Sequence, residues 1–247
     1  MSSTSANSTN PEAPDGWGLD DISAFLEAAH QNSFATFANL QRFFRPLVEV
    51  DQLFRLAIPN FGTPTDWLMA VFLLRTHAAF LGAVRLASSG QLPETYMLLR
   101  GCLEPALYAL HIFKDPSRAA IWLARSDDEE QRAKARGEFS NRRVLATLAA
   151  ADQGLHGAVV KLYERTMDHG AHPNERAFLT NMSIEKVQEG IRLQLNYLSG
   201  HSPAFELALK SALQTGIVAL GVFEAIVPEK FSILGLSERL ALLKRGL

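Results

Sequence analysis

The stretch from Tyr96 to Phe113 constrains the fold most, because it is apolar apart from three strongly polar residues, Arg100, Glu104 and His111. At about 100° per residue, their offsets along a helix place them within roughly 40° of one another. Buried ions cost several kcal/mol unless they are paired. We therefore expect Arg100 and Glu104 to be largely buried and ion-paired, with Glu104 beside Arg100 or Arg75, and we treat the polar line as a candidate ligand-binding site.

The composition supports one globular domain with a sizeable core. The chain has 247 residues, of which 47% are hydrophobic, and a formal net charge of −2. This balance gives no overall attraction to nucleic acid or to an anionic membrane, although a local basic face is compatible with it. We expect a disordered tail over residues 1–18 and a single helical domain over residues 19–247.

Cys102 is the only cysteine, which excludes an intrachain disulfide and a thiolate metal cage. It lies between apolar neighbours in the middle of a predicted helix, so we interpret it as a small buried hydrophobic residue. The N-terminus has neither the basic nor the apolar region of a signal peptide. These features predict a cytoplasmic protein that needs no metal and no cofactor.

Three apolar stretches approach the length of a membrane span: Trp67–Ala87, Tyr96–Phe113 and Thr215–Val227. The first two contain charged residues near their centres, and the third is short. A central ion costs at least about 2.5 kcal/mol in a bilayer, so we expect buried core helices and no membrane insertion.

Helical periodicity dominates the chain and predicts a mainly α fold, a bundle of about seven or eight helices with one appended β-hairpin. Pro46 is expected to kink or break the first long helical stretch. The hairpin is predicted over residues 182–198, where apolar residues alternate with Arg192, Gln194 and Asn196. Because a lone hairpin is marginal in water, we expect the apolar positions to face helices. These positions are Ile191, Leu193, Leu195 and Tyr197.

A second candidate site follows the end of a predicted helix and contains Arg165, Asp168, His169 and His172. The spacing does not match a known zinc motif, so the metal reading is weak. One reading is catalytic, because Pro173 holds His172 in an extended direction. The other is structural, with His169 and Gly170 capping the helix. We also expect His169 or His172 to lie within hydrogen-bond or one-water reach of the Arg100–Glu104 pair.

A basic face is predicted on a charged helix that begins near Ser126 and continues toward Ala151. On one continuous helix, Arg132, Arg136 and Arg143 lie within about 40° of one another, beside Phe139. Such a face could follow a phosphate backbone and stack a base. The alternative is a solvated helix whose arginine stems cover the core while Phe139 points inward, and the preceding run of acidic residues favours it.

Two motifs resemble known helical families. The segment LLRGCLEPALYALHIFKDP, with its R-x-x-x-E spacing, and the later His172-Pro173 are similar to motifs of an uncharacterised family of bacterial helical proteins. More distantly, Arg165 and His172 form an R-x6-H pattern that is similar to the signature of the HEPN superfamily. That resemblance implies a metal-independent ribonuclease of toxin or antiviral systems, in which Arg165 holds a phosphate and His172 acts as acid or base.

Two hypotheses follow for the function. In the first, the chain is a HEPN-like enzyme that acts on RNA. In the second, it is a non-enzymatic binding or scaffold module, whose polar cluster is structural or holds a small anionic ligand. RNA and a second copy of the chain are the partners considered. The two hypotheses differ in geometry, because the ribonuclease needs Arg165 and His172 to converge in an open basic cleft.

Overall fold

The computed structural model describes residues 13–61, 67–171, 175, 179, 181–187 and 190–245. These residues form eleven α-helices and one two-stranded antiparallel hairpin, so the predicted mainly α fold with an appended hairpin is confirmed. The helices that form the core are long and apolar. Shorter and more polar helices lie between residues 118 and 166.

The first two helices are α1, Asp21–Asn39, and α2, Gln41–Ala57. The side chain of Asp20 caps α1 by accepting from the backbone N–H groups of Ile22 and Ser23. The chain turns between the helices at Leu40, whose φ of −118° and ψ of 41° lie outside the helical region. Pro46 lies inside α2 and does not break it, although it has no backbone N–H to donate to the carbonyl of Arg42.

The core is built from α3, Trp67–Ser89, α4, Leu92–Lys114, and α9, Pro203–Ile226. Large side chains from all three helices are fully buried, among them Phe80, Leu99 and Phe223. Gly216 allows α9 to approach closely, because a Cβ atom there would lie 2.7 Å from ring or methyl carbons of Phe80 and Val50. Two short helices after α9 close the fold: α10, Pro228–Ile233, and α11, Leu236–Arg245.

Among the described residues, four α-helices follow α4 before the hairpin: α5, Arg118–Leu123, α6, Glu129–Glu138, α7, Asn141–Ala151, and α8, Gln153–Thr166. The predicted continuous helix from Ser126 toward Ala151 is wrong, because the chain leaves the helix at Phe139 and Ser140. Ser140 takes an extended conformation and starts α7 as its N-cap. A π-helical turn, Met167–Ala171, follows α8 directly.

The hairpin consists of β1, Met182–Val187, and β2, Gly190–Leu195. Its register pairs Met182 with Leu195 and Ile184 with Leu193, so these apolar side chains share one face. The expectation that this face packs on helices is wrong for Ile191, Leu193 and Leu195, whereas the Tyr197 ring makes an edge contact with Phe25 of α1. Every residue of β2 is exposed, including Ile191 at 64% and Leu193 at 63%, and Tyr197 beyond it is 68% exposed.

By length and hydropathy alone, two of the described helices could cross a membrane, α3 and α9. In α9, 78% of the apolar window is buried inside the protein, as expected of a core helix, whereas in α3 the buried share is only 44%. More than half of the apolar window of α3 is therefore not buried inside the protein.

Candidate functional site

His111, near the C-terminal end of α4, is a buried histidine at the wall of a pocket. Its side chain is 2% exposed. The ring atom Nδ1 lies 2.7 Å from the Thr147 hydroxyl on α7, and Nε2 lies 3.3 Å from Glu138 Oε1. The approach to Glu138 is not aligned for a hydrogen bond, so Nε2 has no hydrogen-bond partner within the described part of the chain. The Nε2 atom itself is closed off from solvent, and its nearest polar neighbour is the Glu138 carboxylate at the wall of the pocket.

Glu138 joins three helices beside this histidine. It ends α6 and accepts a hydrogen bond of 2.8 Å from Arg118 Nε, at the start of α5. Its other carboxylate oxygen pairs with Arg143 on α7. Burial alone would raise the pKa of Glu138, but the hydrogen bond from Arg118 and the charges of Arg143 and Arg118 outweigh it and hold that pKa below its usual range.

The space between these side chains is a pocket of about 570 Å³. Lys114 and the two arginines contribute three positive charges against the single carboxylate of Glu138. Burial, and next the charge of Arg118, lower the pKa of His111 below its usual value of 6.5, so the imidazole is neutral at neutral pH. Asp115, just outside this lining, also pairs with Arg118 at 3.6 Å, so the excess is about one positive charge, which still favours an anionic ligand. Its lining includes His111, Lys114, Arg118, Glu138, Arg143 and Thr147.

Arg118 also fixes the end of α4. Its Nη1 donates to the backbone carbonyl of His111 at 2.8 Å, one of the last carbonyls of that helix. The guanidinium therefore holds the helix end and the Glu138 carboxylate at the same time. Thr147 completes the wall, because its hydroxyl also contacts the carbonyl of Arg143 at 3.2 Å.

Arg100 and Glu104 form the expected ion pair, with Nε and Oε1 2.8 Å apart, but they are not largely buried. Their side chains are 36% and 37% exposed. The Tyr163 hydroxyl lies 3.3 Å from Glu104 Oε1, and its ring lies beneath the Arg100 guanidinium. The expected partner Arg75 is on the exposed side of α3. The pair and His111 thus belong to two environments rather than one polar line.

The residues at the end of α8 point in different directions. Arg165 Nη1 donates to Ser211 at 3.1 Å and to Gln214 at 2.7 Å, both on α9. In the π-helical turn, Met167 Sδ lies 3.5 Å from Arg100 Nη1, and Asp168 is exposed. His169 stacks on Tyr96, with ring centroids 5.0 Å apart.

The π-helical turn therefore packs against α4, next to the Arg100–Glu104 pair. A hydrogen bond from His169 to that pair remains a prediction, and His172 lies outside the described residues. The backbone of Gly170 comes so close to the Pro93 carbonyl that any Cβ atom there would collide with it.

The predicted basic face is wrong, because the break at Ser140 separates its members. Arg132 and Arg136 on α6 both pair with Glu129, at 2.9 and 2.7 Å. Arg143, on α7, turns instead to Glu138 and the pocket. Phe139 is buried, and its ring packs beside those of Tyr108 and His111. The alternative of solvated arginines around an inward-pointing phenylalanine describes α6 better.

Sequence reasoning named His111 and Arg143 but missed Glu138, Arg118 and Thr147. Only the break after Glu138 makes them neighbours, and the Ser140 N-cap was the available signal for that break. It also missed the partly buried pair of His77 and Asp51, whose Nε2 and Oδ1 atoms lie 2.6 Å apart. Burial raises the pKa of Cys102 to about 12, in agreement with an unreactive core thiol.

No group of three or more metal-binding side chains of the usual types comes together in the ranges that the structure describes. Compared with protein-family models, curated proteins and solved structures, the chain gives no significant match. The function is therefore inferred from the geometry of the site.

Proposed function

We propose that the chain is a binding module for a small anionic ligand, held in the pocket between the end of α4, the start of α5 and α7. One observation carries the proposal. The pocket is lined by three cations, Lys114, Arg118 and Arg143, and by one carboxylate, Glu138, beside the buried His111. Phosphate, sulfate and carboxylate groups all match this set of donors.

Arg118 does not need to change its conformation for the pocket to bind an anion. Arg118 is held in place by Glu138 and by the His111 carbonyl, so its direction is fixed before any ligand arrives. Arg143 is 60% exposed and can swing from Glu138 to a ligand oxygen. Preorganised donors lower the entropic cost of binding, whereas the mobile arginine supplies a second charge-assisted hydrogen bond.

The ribonuclease hypothesis has less support. Arg165 donates to Ser211 and Gln214, so this guanidinium contacts α9 and not an open cleft. Its proposed partner His172 is outside the described residues. The hypothesis stays a prediction, and it has a direct test: metal-independent cleavage of single-stranded RNA by the purified chain, lost in both Arg165→Ala and His172→Ala, would favour it over the binding module.

Calorimetric titration with inorganic phosphate tests the binding module. Arg143→Gln removes a cation of the pocket, and Arg136→Gln is its matched control, because both side chains are 60% exposed and paired with a glutamate. We expect one saturable site in the wild type, an affinity weaker by about tenfold in Arg143→Gln, and no change in Arg136→Gln. Equal weakening in both variants would indicate diffuse attraction, and a featureless titration would reject the pocket for this anion.

A further inference from the structure

α3 carries a stripe of exposed side chains that no described part of the chain covers. Five of its members are apolar, and four of these are large: Trp67 is 50% exposed, Val71 42%, Leu74 50% and Leu81 40%. Ala78 lies among them, and Arg85 ends the stripe. At about 100° per residue, all six positions lie within roughly 40° of one line along the helix.

The order of the stripe is self-complementary. The spacing between successive members is four, three, four, three and four residues, which is the same in both directions. Two antiparallel copies of α3 would therefore bring Leu74 opposite Ala78, a large side chain against a small one. Val71 would lie opposite Leu81, and the Arg85 guanidinium opposite the Trp67 ring, an attractive cation–π arrangement.

From this pattern we infer that α3 is the interface of a homodimer, in which a second copy of this chain packs antiparallel across a two-fold axis between Leu74 and Ala78. A two-fold interface requires that residue i contacts residue j while residue j contacts residue i, and each of the three pairs meets this condition. The alternation of three and four residues is also the spacing that packs helices side by side. This interface is separate from the anion pocket.

Neighbouring side chains extend the surface. Phe34 and Phe37 on α1 are 47% and 54% exposed and line the groove that also contains Leu81 and Arg85. In the antiparallel arrangement, the Trp67 end of the partner helix lies closest to this groove. Arg75, on the edge of the stripe, occupies a rim position, where water screens its repulsion from its own copy.

The size of the surface predicts a reversible dimer. An aromatic side chain offers about 150–250 Å², so the half-exposed aromatic and aliphatic residues together expose on the order of 500 Å² per copy. A standard stable interface buries about 800 Å² on each partner. We therefore expect monomer and dimer to exchange at micromolar concentrations rather than a permanent dimer.

Sedimentation of the full chain over a concentration series is the first test. Leu74→Asp places a carboxylate next to the two-fold axis in both copies, and we expect the dimer to weaken by at least about a hundredfold. Leu242→Asp is the control, because Leu242 is an exposed leucine, at 61%, on α11. A wild type that remains monomeric, or a dimer that Leu74→Asp leaves intact, would overturn the inference.

Cross-linking tests the register. Positions 67 and 85 are about 27 Å apart along one helix, so two copies of either cysteine variant alone would hold their thiols that far apart. An equal mixture of Trp67→Cys and Arg85→Cys should form a disulfide-linked dimer under mild oxidation, whereas each variant alone should not. Cys102 is buried and does not interfere. Cross-linking of either variant alone, or none in the mixture, would reject this register.

A membrane surface is the rival occupant of the stripe, because α3 is apolar enough to enter one. Flotation with phosphatidylcholine vesicles separates the two cases. Dimer formation in solution without vesicle binding supports the inference. Vesicle binding by a wild type that stays monomeric in solution, lost in Leu74→Asp and kept in Leu242→Asp, would assign the stripe to lipid and overturn it.

Discussion

Glu138 and Glu129 are two carboxylates of α6 that each pair with two arginines and differ mainly in exposure. The Glu138 side chain is 16% exposed and that of Glu129 is 67% exposed. A charged hydrogen bond shielded from water contributes more to stability than one in solvent, where water and salt screen it. We therefore expect the ion pairs of Glu138 to contribute more to stability than those of Glu129.

Replacing each of these glutamates by glutamine tests that distinction. We expect Glu138→Gln to lower the free energy of unfolding by about 1–3 kcal/mol, because Arg118 and Arg143 lose a shared charged partner. Glu129→Gln should lower it by less than about 1 kcal/mol. Urea unfolding monitored by circular dichroism measures both. Equal losses in the two variants would contradict the dependence on burial.

The Arg100–Glu104 pair is a second ion pair whose contribution to stability should depend on its exposure to water. Full burial would make Glu104→Ala cost about 3–5 kcal/mol, because it would strand a cation in the core. With both side chains more than a third exposed, we expect a loss of about 1 kcal/mol or less, of which the contact with Tyr163 is part. A thermal melt lowered by the larger amount would show that the pair is shielded from water.

At the scale of secondary structure, the hairpin is held by its own register. Glu185 and Arg192 lie opposite each other on the polar face, 3.3 Å apart, and the backbone N–H of Asn196 donates to the Asn181 carbonyl at the open end. Ser199 then ties the following segment to Gly90, between α3 and α4. These contacts fix the base of the hairpin to the helices and leave its apolar face exposed.

Substitutions on that face should cost little. We expect Leu193→Thr to change the free energy of unfolding by less than about 0.5 kcal/mol, because the side chain is already 63% exposed. The same change at Leu148, which is fully buried in α7, should cost about 2–4 kcal/mol. Chemical denaturation of the two variants measures the difference. A large loss at Leu193 would show that the apolar face is covered in solution.

The periodicity of the sequence was enough to predict a mainly helical chain and both strands of the hairpin, because alternation at Ile191, Leu193 and Leu195 reflects the local geometry of a strand. It could not predict whether that face is covered, since burial depends on elements distant in sequence. Prediction of the pocket would also have required contacts between elements that are distant in sequence. Arg118, Glu138 and Thr147 are separated along the chain, and a break at Ser140 that periodicity did not show brings them to His111.

At the scale of the whole molecule, the helices converge on two unlike surfaces. The C-terminal end of α4 contributes to a charged pocket, and the exposed face of α3 presents the apolar stripe. The pocket is formed mainly by short helices after α4, whereas the stripe is one face of a core helix. A change in either surface can therefore be made without altering the shared core of α3, α4 and α9.

The pH dependence of global stability should report the pocket. The pKa of His111 is lowered in the folded protein. At a pH between the folded and unfolded pKa values, the unfolded chain therefore binds a proton that the folded chain does not bind. Stability from this group is complete above pH 6.5, the usual value, and is lost as the pH falls below it. The lowered carboxylate pKa values of Asp51 and Glu138 act in a separate range, below about pH 4.5.

Unfolding free energies of the wild type and of His111→Gln, measured between pH 7.5 and pH 5, isolate this effect. We expect the wild type to lose stability over this range and the variant to lose less, because glutamine cannot take up the proton. An anion bound beside Arg118 and Arg143 would reduce the repulsion that lowers the His111 pKa. Sulfate keeps a constant charge over this pH range, so it should flatten the wild-type profile and leave the slope of the variant's profile unchanged. Parallel profiles for the two proteins would contradict this prediction. They would mean that His111 has the same pKa in the folded and unfolded chains, so that its burial does not lower that pKa.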